Sequence, residues 1–343
     1  MPDDTHIVLT QCPQCSQPVA AGALCSRCVV YDEVGGAATL SMTTDNSPVQ
    51  PDNKDPFIGL VIERKFLIMA KLGQGAMGHV YQAQRLNKLP DVAIKFIDKQ
   101  LVSETAAVER FGREAQIAAE IDHPNVVRIF DWTRIADDNL PAYIVMELVK
   151  GTTLASILKQ ETLTFSRAVS LMREICKGVG AAHQRGVIHR DIKPANVMIC
   201  DDGRGHEKVK ILDFGLAKLH RTTDVALTAQ GYVVGTPVYM SPEQFEGREL
   251  DARSDVYSLA AVMYEMLTGS PPFMGKSLNS LRNKHVREAP RPFAANLRIP
   301  NRFKSVVFAA LSKDPANRPS NADEFGRALR EAAHPAPSPK PNS

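Results

Sequence analysis

The spacing of apolar residues changes along this 343-residue chain. Short runs rich in β-branched and aromatic side chains come first, at Phe66 to Ile68, Val92 to Ile97 and Tyr143 to Leu148, and predict strands. Longer stretches with helical spacing follow, such as Phe165 to Gln184, so the order predicts a strand-rich lobe and then a helical lobe. Between the strands, Val108 to Ile121 puts Phe111, Ala115, Ala118 and Ile121 on one helical face, with Glu114 beside Phe111 and Ala118. Gly35 to Pro56 has almost no large apolar residue and cannot offset its ordering entropy, so it reads as a linker. Pro335 to Ser343 alternates proline with small polar residues and reads as a disordered tail. No internal repeat interrupts this order.

Composition narrows the class. With 44% apolar and 23% charged residues the chain has the balance of a soluble globular protein, and its length suits two structural units. The most apolar helical stretch, Val256 to Leu267, is too short for a membrane span and carries Glu265. Asp3 and Asp4 stand where a secretory signal would be basic and then apolar, which predicts a cytoplasmic chain. Net charge is +3, from 41 basic and 38 acidic residues, too small and dispersed for a nucleic-acid surface. Residues 1 to 55 are acidic, with Asp3, Asp4, Asp32, Glu33, Asp45, Asp52 and Asp55 against Arg27 and Lys54.

Four of the six cysteines form two CxxC pairs, Cys12-Pro-Gln-Cys15 and Cys25-Ser-Arg-Cys28, with nine residues between them. That spacing lets both pairs close around one tetrahedral Zn²⁺, and four thiolates leave no open position, so the site would be structural. A redox dithiol needs only one such pair. The segment resembles small zinc ribbons, although Ser16 and Val29 stand where those often carry glycine. With one basic residue and little aromatic surface, it suits docking to a protein partner better than nucleic acid.

Gly73-Gln-Gly75-Ala-Met-Gly78 lies between two apolar runs, so it predicts the tip of a strand-turn-strand. A dinucleotide site of the Rossmann kind requires a helix directly after the glycines, whereas a flap over nucleotide phosphates does not. Lys95, inside the apolar Val92 to Ile97 run, needs a counter-charge, and Glu114 is the carboxylate predicted to meet it. His189-Arg-Asp-Ile-Lys-Pro-Ala-Asn196 follows a long helix and enters the strand Val197 to Cys200. The chain returns through Val209 to Leu212 into Asp213-Phe-Gly215. An antiparallel hairpin there would bring Asn196 and Asp213 together, a hard-oxygen pair suited to Mg²⁺, with Asp191 near enough to accept a proton from a hydroxyl.

In this order the motifs resemble the protein kinase family, over roughly Phe66 to Ala333. Their phrasing is most similar to the bacterial, eukaryotic-like (Hanks-type) serine/threonine kinases. The resemblance implies an α+β fold, the two-lobed protein kinase fold, preceded here by the four-cysteine zinc ribbon. The expected divisions are 1–34 for the ribbon, 35–56 for the linker, 57–334 for the kinase domain and 335–343 for the tail. Within the kinase domain the lobes would be 57–149 and 150–334. The implied reaction is transfer of the ATP γ-phosphoryl group to Ser/Thr hydroxyls of proteins, with Mg²⁺ or Mn²⁺.

By the same resemblance Asp191 is the catalytic base, Lys193 steadies the γ-phosphate, and Asn196 and Asp213 hold the metal. The ATP site takes in Leu72, Gly73, Gln74, Gly75, Ala76, Met77, Gly78, His79, Val80, Ala93, Lys95, Glu114, Met146, Glu147 and Val149, with Met146 as gatekeeper. Lys193 and Thr236 match the serine/threonine form. Ser241-Pro-Glu243 varies the family's Ala-Pro-Glu, and Glu243 would pair with Arg318. Asp255 reads alone as a helix N-cap and in the family as an anchor of the catalytic loop. Arg190 needs an anion, which phosphorylation of Thr228, or of Thr222 or Thr223, would supply. A pseudokinase scaffold is the rival reading, opposed by intact Lys95, Glu114, Asp191, Asn196 and Asp213. Small-molecule kinases normally lack the Ser241-Pro-Glu243 segment and Arg318.

Overall fold

Two three-residue strands, β1 (Leu9–Gln11) and β2 (Pro18–Ala20), pair antiparallel with Leu9 opposite Ala20. The computed structural model describes residues 9–11, 18–20, 55–75, 78–87, 89–98, 105–133, 140–201, 203–214 and 237–334. Cys12, Cys15, Cys25, Cys28, most of the predicted linker and the tail lie outside these residues. The chain divides into two compact units, Met1–Gly73 with His79–Ile94, and Gln74–Gly78 with Lys95–Ser343.

In the first unit β3 (Val61–Ile62), β4 (Phe66–Gly75), β5 (Gly78–Arg85) and the start of β6 (Val92–Ile97) form a sheet in chain order. Every residue of β6 is buried, which explains its unbroken Val-Ala-Ile-Lys-Phe-Ile run: a strand covered on both faces has no reason to alternate. Tyr81 donates its hydroxyl to the Asp55 carboxylate at 2.9 Å while its ring meets Phe57, so burial and that carboxylate push the hydroxyl's pKa up.

In the second unit β8 (Tyr143–Glu147) lies beside the end of β6 and pairs antiparallel with β7 (Ile129–Trp132). The helix α1 (Thr105–Ala119) turns Phe111, Ala115 and Ala118 inward, the face predicted from spacing. A second, three-stranded sheet has the order β11 (Glu207–Ile211), β10 (Val197–Asp201), β9 (Thr152–Thr153). Around it lie α2 (Leu154–Gln160), α3 (Phe165–His183), α4 (Pro242–Phe245), α5 (Ala252–Thr268), α6 (Leu278–Arg287), α7 (Asn301–Ala310) and α8 (Ala322–Ala333). No helix among the described residues is long and apolar enough to cross a membrane.

α5 is the centre of this unit: from Ser254 to Tyr264 it is buried on all sides, as expected of a helix that is apolar all round. Emptying one such position, Leu259→Ala for instance, would cost about 2–5 kcal/mol. Asp251, not Asp255, caps this helix by accepting from the Arg253 amide, and Gly269 ends it in the left-handed region at φ 74°. Asp255, one turn in, is thereby free for another task. α3 begins at Thr164, whose hydroxyl accepts from the Arg167 amide, and packs against α8 and β11.

Candidate active site

The β10–β11 hairpin sets the geometry. Val197 stands opposite Ile211, and the Leu212 amide donates to the Asn196 carbonyl at 2.9 Å, so Asn196 and Asp213 meet at one end. Asp191 is drawn to the same place. The Asn196 amide group donates to the Asp191 carbonyl at 2.8 Å and to its Oδ2 at 3.0 Å, and Lys193 Nζ reaches that oxygen at 2.7 Å. One carboxylate oxygen thus receives two donors from the residues predicted to surround it.

Lys95, 5% exposed on β6, places its ammonium 2.7 Å from Asp213 Oδ2. This corrects the predicted partner: the structure pairs Lys95 with Asp213 rather than with Glu114. The physical demand is the one recognised in sequence, a buried ammonium needing a carboxylate, but Asp213 supplies it from 118 residues away. Burial pushes the Asp213 carboxyl up, yet the charge and hydrogen bond of Lys95 outweigh that and hold it below the usual range. Half-buried Glu114 on α1 acts electrostatically on Arg190, whose pKa burial lowers while Glu114 and Asp255 support its charge.

His189, fully buried, fixes the loop from beneath. Its Nε2 lies 2.8 Å from the Leu212 carbonyl and must carry the proton, so Nδ1 is free to accept from the Asp191 amide at 3.3 Å. Phe214 packs on this ring at 4.5 Å between centroids. Asp255 accepts from the His189 amide at 2.7 Å and the Arg190 amide at 2.9 Å. Those bonds hold Arg190 at φ 68°, and Asp213 adopts φ 61°, both in the left-handed region that non-glycine residues rarely occupy. A pocket with Met146, Ile144, Val126, Ile211 and Phe214 as apolar walls has Lys95 and Asp213 as its polar side.

Among the other predicted ATP residues, Leu72, Gly73, Gln74 and Gly75 end β4, while Gly78, His79 and Val80 begin β5. The glycines therefore end one strand and begin the next; Ala76 and Met77 lie outside the described residues. Gly78 has φ 133°, and a side chain there would collide with the Phe96 carbonyl oxygen. Ala93 is buried on β6, two positions before Lys95, and Val149 follows β8. Glu147 ends β8 with its carboxylate on Lys210 Nζ at 2.7 Å and its amide on the Arg128 carbonyl.

Glu243 and Arg318 meet as a buried bidentate pair at 2.7 and 3.0 Å. Thr222, Thr223, Thr228 and Thr236 lie outside the described residues. Gln244 contributes a link not singled out from sequence: its side chain accepts from the Ser241 amide and donates to the Arg190 carbonyl at 2.7 Å. The Ser-x-x-Gln capping pattern was its visible signal.

Comparison with known proteins agrees with this geometry. The family model described as the protein kinase domain matches residues 66–330. The chain is 38% identical to the serine/threonine-protein kinase pkn3 of Myxococcus xanthus over 286 residues, 82% of this chain and 52% of that protein. It is 42% identical to the serine/threonine-protein kinase PknB of Mycobacterium tuberculosis over 257 residues, 74% of this chain and 40% of that one. The chain thus spans about half or less of the length of these relatives. The crystal structure of the Mycobacterium tuberculosis PknI kinase domain superposes with a TM-score of 0.62 at 26% identity, covering 80% of this chain and 98% of that one. The chain belongs to the protein kinase family, with the strand-rich N-terminal and helical C-terminal lobes of that fold.

Proposed function

We propose that this protein is a serine/threonine protein kinase that moves the γ-phosphoryl group of ATP to Ser and Thr hydroxyls of protein substrates. The observation that carries it is the Asp191 carboxylate, fixed by Lys193 and Asn196 beside the Lys95–Asp213 pair. Asp191 accepts the proton of the incoming hydroxyl, and Lys193, already on that carboxylate, reaches the transferred phosphoryl. Lys95 binds the nonreacting phosphates, and the backbone after Met146 orients the purine. Asn196 and Asp213 present hard oxygens at one hairpin end, a donor set that fits Mg²⁺. When bound, that ion neutralises phosphate charge.

Phosphorylation of the segment before Pro237, at Thr228 first, would give Arg190 its anion and order the segment. The four-cysteine segment holds structural zinc and docks a protein partner. ATP as substrate and clustered thiols both fit the cytoplasm. Incubation with labelled ATP, Mg²⁺ and a mixed protein substrate, followed by acid hydrolysis, tests the reading. Phosphoserine and phosphothreonine are expected, and Thr228→Ala lowers the rate. Label on tyrosine alone, or none, refutes it. Elemental analysis should find one zinc per chain, and none in a Cys12→Ser, Cys25→Ser variant.

A further inference from the structure

The end of α3 and the start of α8 are joined to the catalytic loop by one imidazole. His183, with its side chain 4% exposed, has Nε2 2.9 Å from Asp255 Oδ2, and its Nδ1 accepts from the Ala322 amide at 3.3 Å. Ala322 is the first residue of α8, and its N–H is one of those a helix leaves without an internal partner. The cap residue Asn321 is occupied with the Glu324 amide, so His183 is what receives Ala322. An amide can only donate and an ionised carboxylate only accept, which fixes His183 as the neutral ring with its proton on Nε2.

Asp255 then has three donors: His183 Nε2 and the amides of His189 and Arg190. The two amides are those of the residues immediately preceding Asp191. Burial pushes the Asp255 carboxyl up, but the hydrogen bonds from the His183 ring and the His189 amide hold it below the ordinary range. A second observation shows that this approach of α8 to α3 is built in. Gly180, one turn before His183, leaves room for the Asp323 side chain of α8, and Gln184 donates to that carboxylate at 2.8 Å.

We propose that His183 is a positioning residue: by donating to Asp255 and accepting from α8, it couples the seating of that C-terminal helix to the placement of Asp191. The inference rests on the phosphoryl-transfer reading for its consequence, but its geometry is testable without catalysis. In the unmodified protein, ¹⁵N NMR of the His183 ring should show a protonated Nε2 and a bare Nδ1; a proton on Nδ1 overturns the proposal. Two substitutions divide its contacts. His183→Gln keeps a donor toward Asp255, whereas His183→Asn keeps an acceptor toward Ala322 and abandons Asp255.

The expected result is that His183→Asn speeds amide exchange at His189 and Arg190 and lowers kcat, each by about tenfold, the order one hydrogen bond to a charged group supports. The KM for ATP stays within about twofold, since no substrate contact is removed. His183→Gln keeps both exchange and kcat near the unmodified values. Equal effects of the two substitutions on exchange overturn the proposal, whatever the activity. Absence of turnover in the unmodified protein, with the exchange difference intact, instead refutes the catalytic reading.

Discussion

Replacing Arg318 by methionine removes a guanidinium that is entirely buried and makes five hydrogen bonds. Two go to Glu243, and three go to the carbonyls of Ser312, Lys313 and Arg253. The ring of Tyr257 lies 4.9 Å from the guanidinium carbon, so packing is lost as well. What remains is a buried carboxylate with only the Ser254 hydroxyl, 2.7 Å away, among the side chains that now hold it. Breaking such a pair from one side costs about 3–5 kcal/mol. For a domain of this size that is a fall in melting temperature of about 6–20 °C, at roughly 2–4 °C per kcal/mol. The assay is thermal melting followed by circular dichroism. Replacing both partners, Glu243→Met with Arg318→Met, should cost less than Arg318→Met alone, because no unpaired charge stays buried. A loss below about 1 kcal/mol for Arg318→Met, the value of an exposed pair, would refute the reasoning.

Acid should act through the same pair. Burial raises the Glu243 carboxyl, but Arg318 outweighs it, so the folded pKa is below the unfolded one. Its stabilisation is complete above the unfolded value of about 4.3 and is lost as pH falls through the folded value; in Arg318→Met this contribution disappears from the acid limb of a stability-pH curve. Lys313 gives a slope of the same sign, at alkaline rather than acid pH. Burial and then the charge of Arg318 lower its pKa from 10.5 to about 8, while its ammonium lies 4.2 Å from the Phe273 ring centroid. The unfolded chain binds the extra proton between those values, so this residue makes stability rise from pH 8 toward 10.5, and Lys313→Met should flatten that rise in chemical denaturation. Gly78→Ala should lower the melting temperature, at about 1–3 kcal/mol, because the added methyl meets the Phe96 carbonyl at a backbone angle alanine resists; an unchanged melt would count against the turn geometry.

The elements, and the convergence of Asp191, Lys193, Asn196 and Asp213, were legible because local pattern encodes them. β6 and α3 fall where their apolar runs put them, and the antiparallel hairpin joining Asn196 to Asp213 follows from two short strands and a glycine-containing turn. Pairings across the fold were less legible. That Lys95 needs a carboxylate is written in its apolar neighbours; that Asp213 is the partner depends on where the loop after β11 ends. That Asp251 rather than Asp255 caps α5 was hidden for a related reason. The polar residues Arg253 and Ser254 begin α5 before its apolar run, so pattern alone starts the helix too late. His183 carried no signal at all: a histidine at a helix end looks like a terminus residue until α8 and α5 close on its two nitrogens.

Phosphate incorporation after incubation with ATP and Mg²⁺, mapped by mass spectrometry in the unmodified protein and in Asp191→Asn, tests the central claim most directly. The substitution keeps the size of the side chain and removes the proton acceptor. The account predicts phosphoserine or phosphothreonine in the unmodified protein and a loss of at least about a hundredfold in Asp191→Asn, with ATP binding retained. Equal incorporation in both, or none in either with ATP bound, would contradict it.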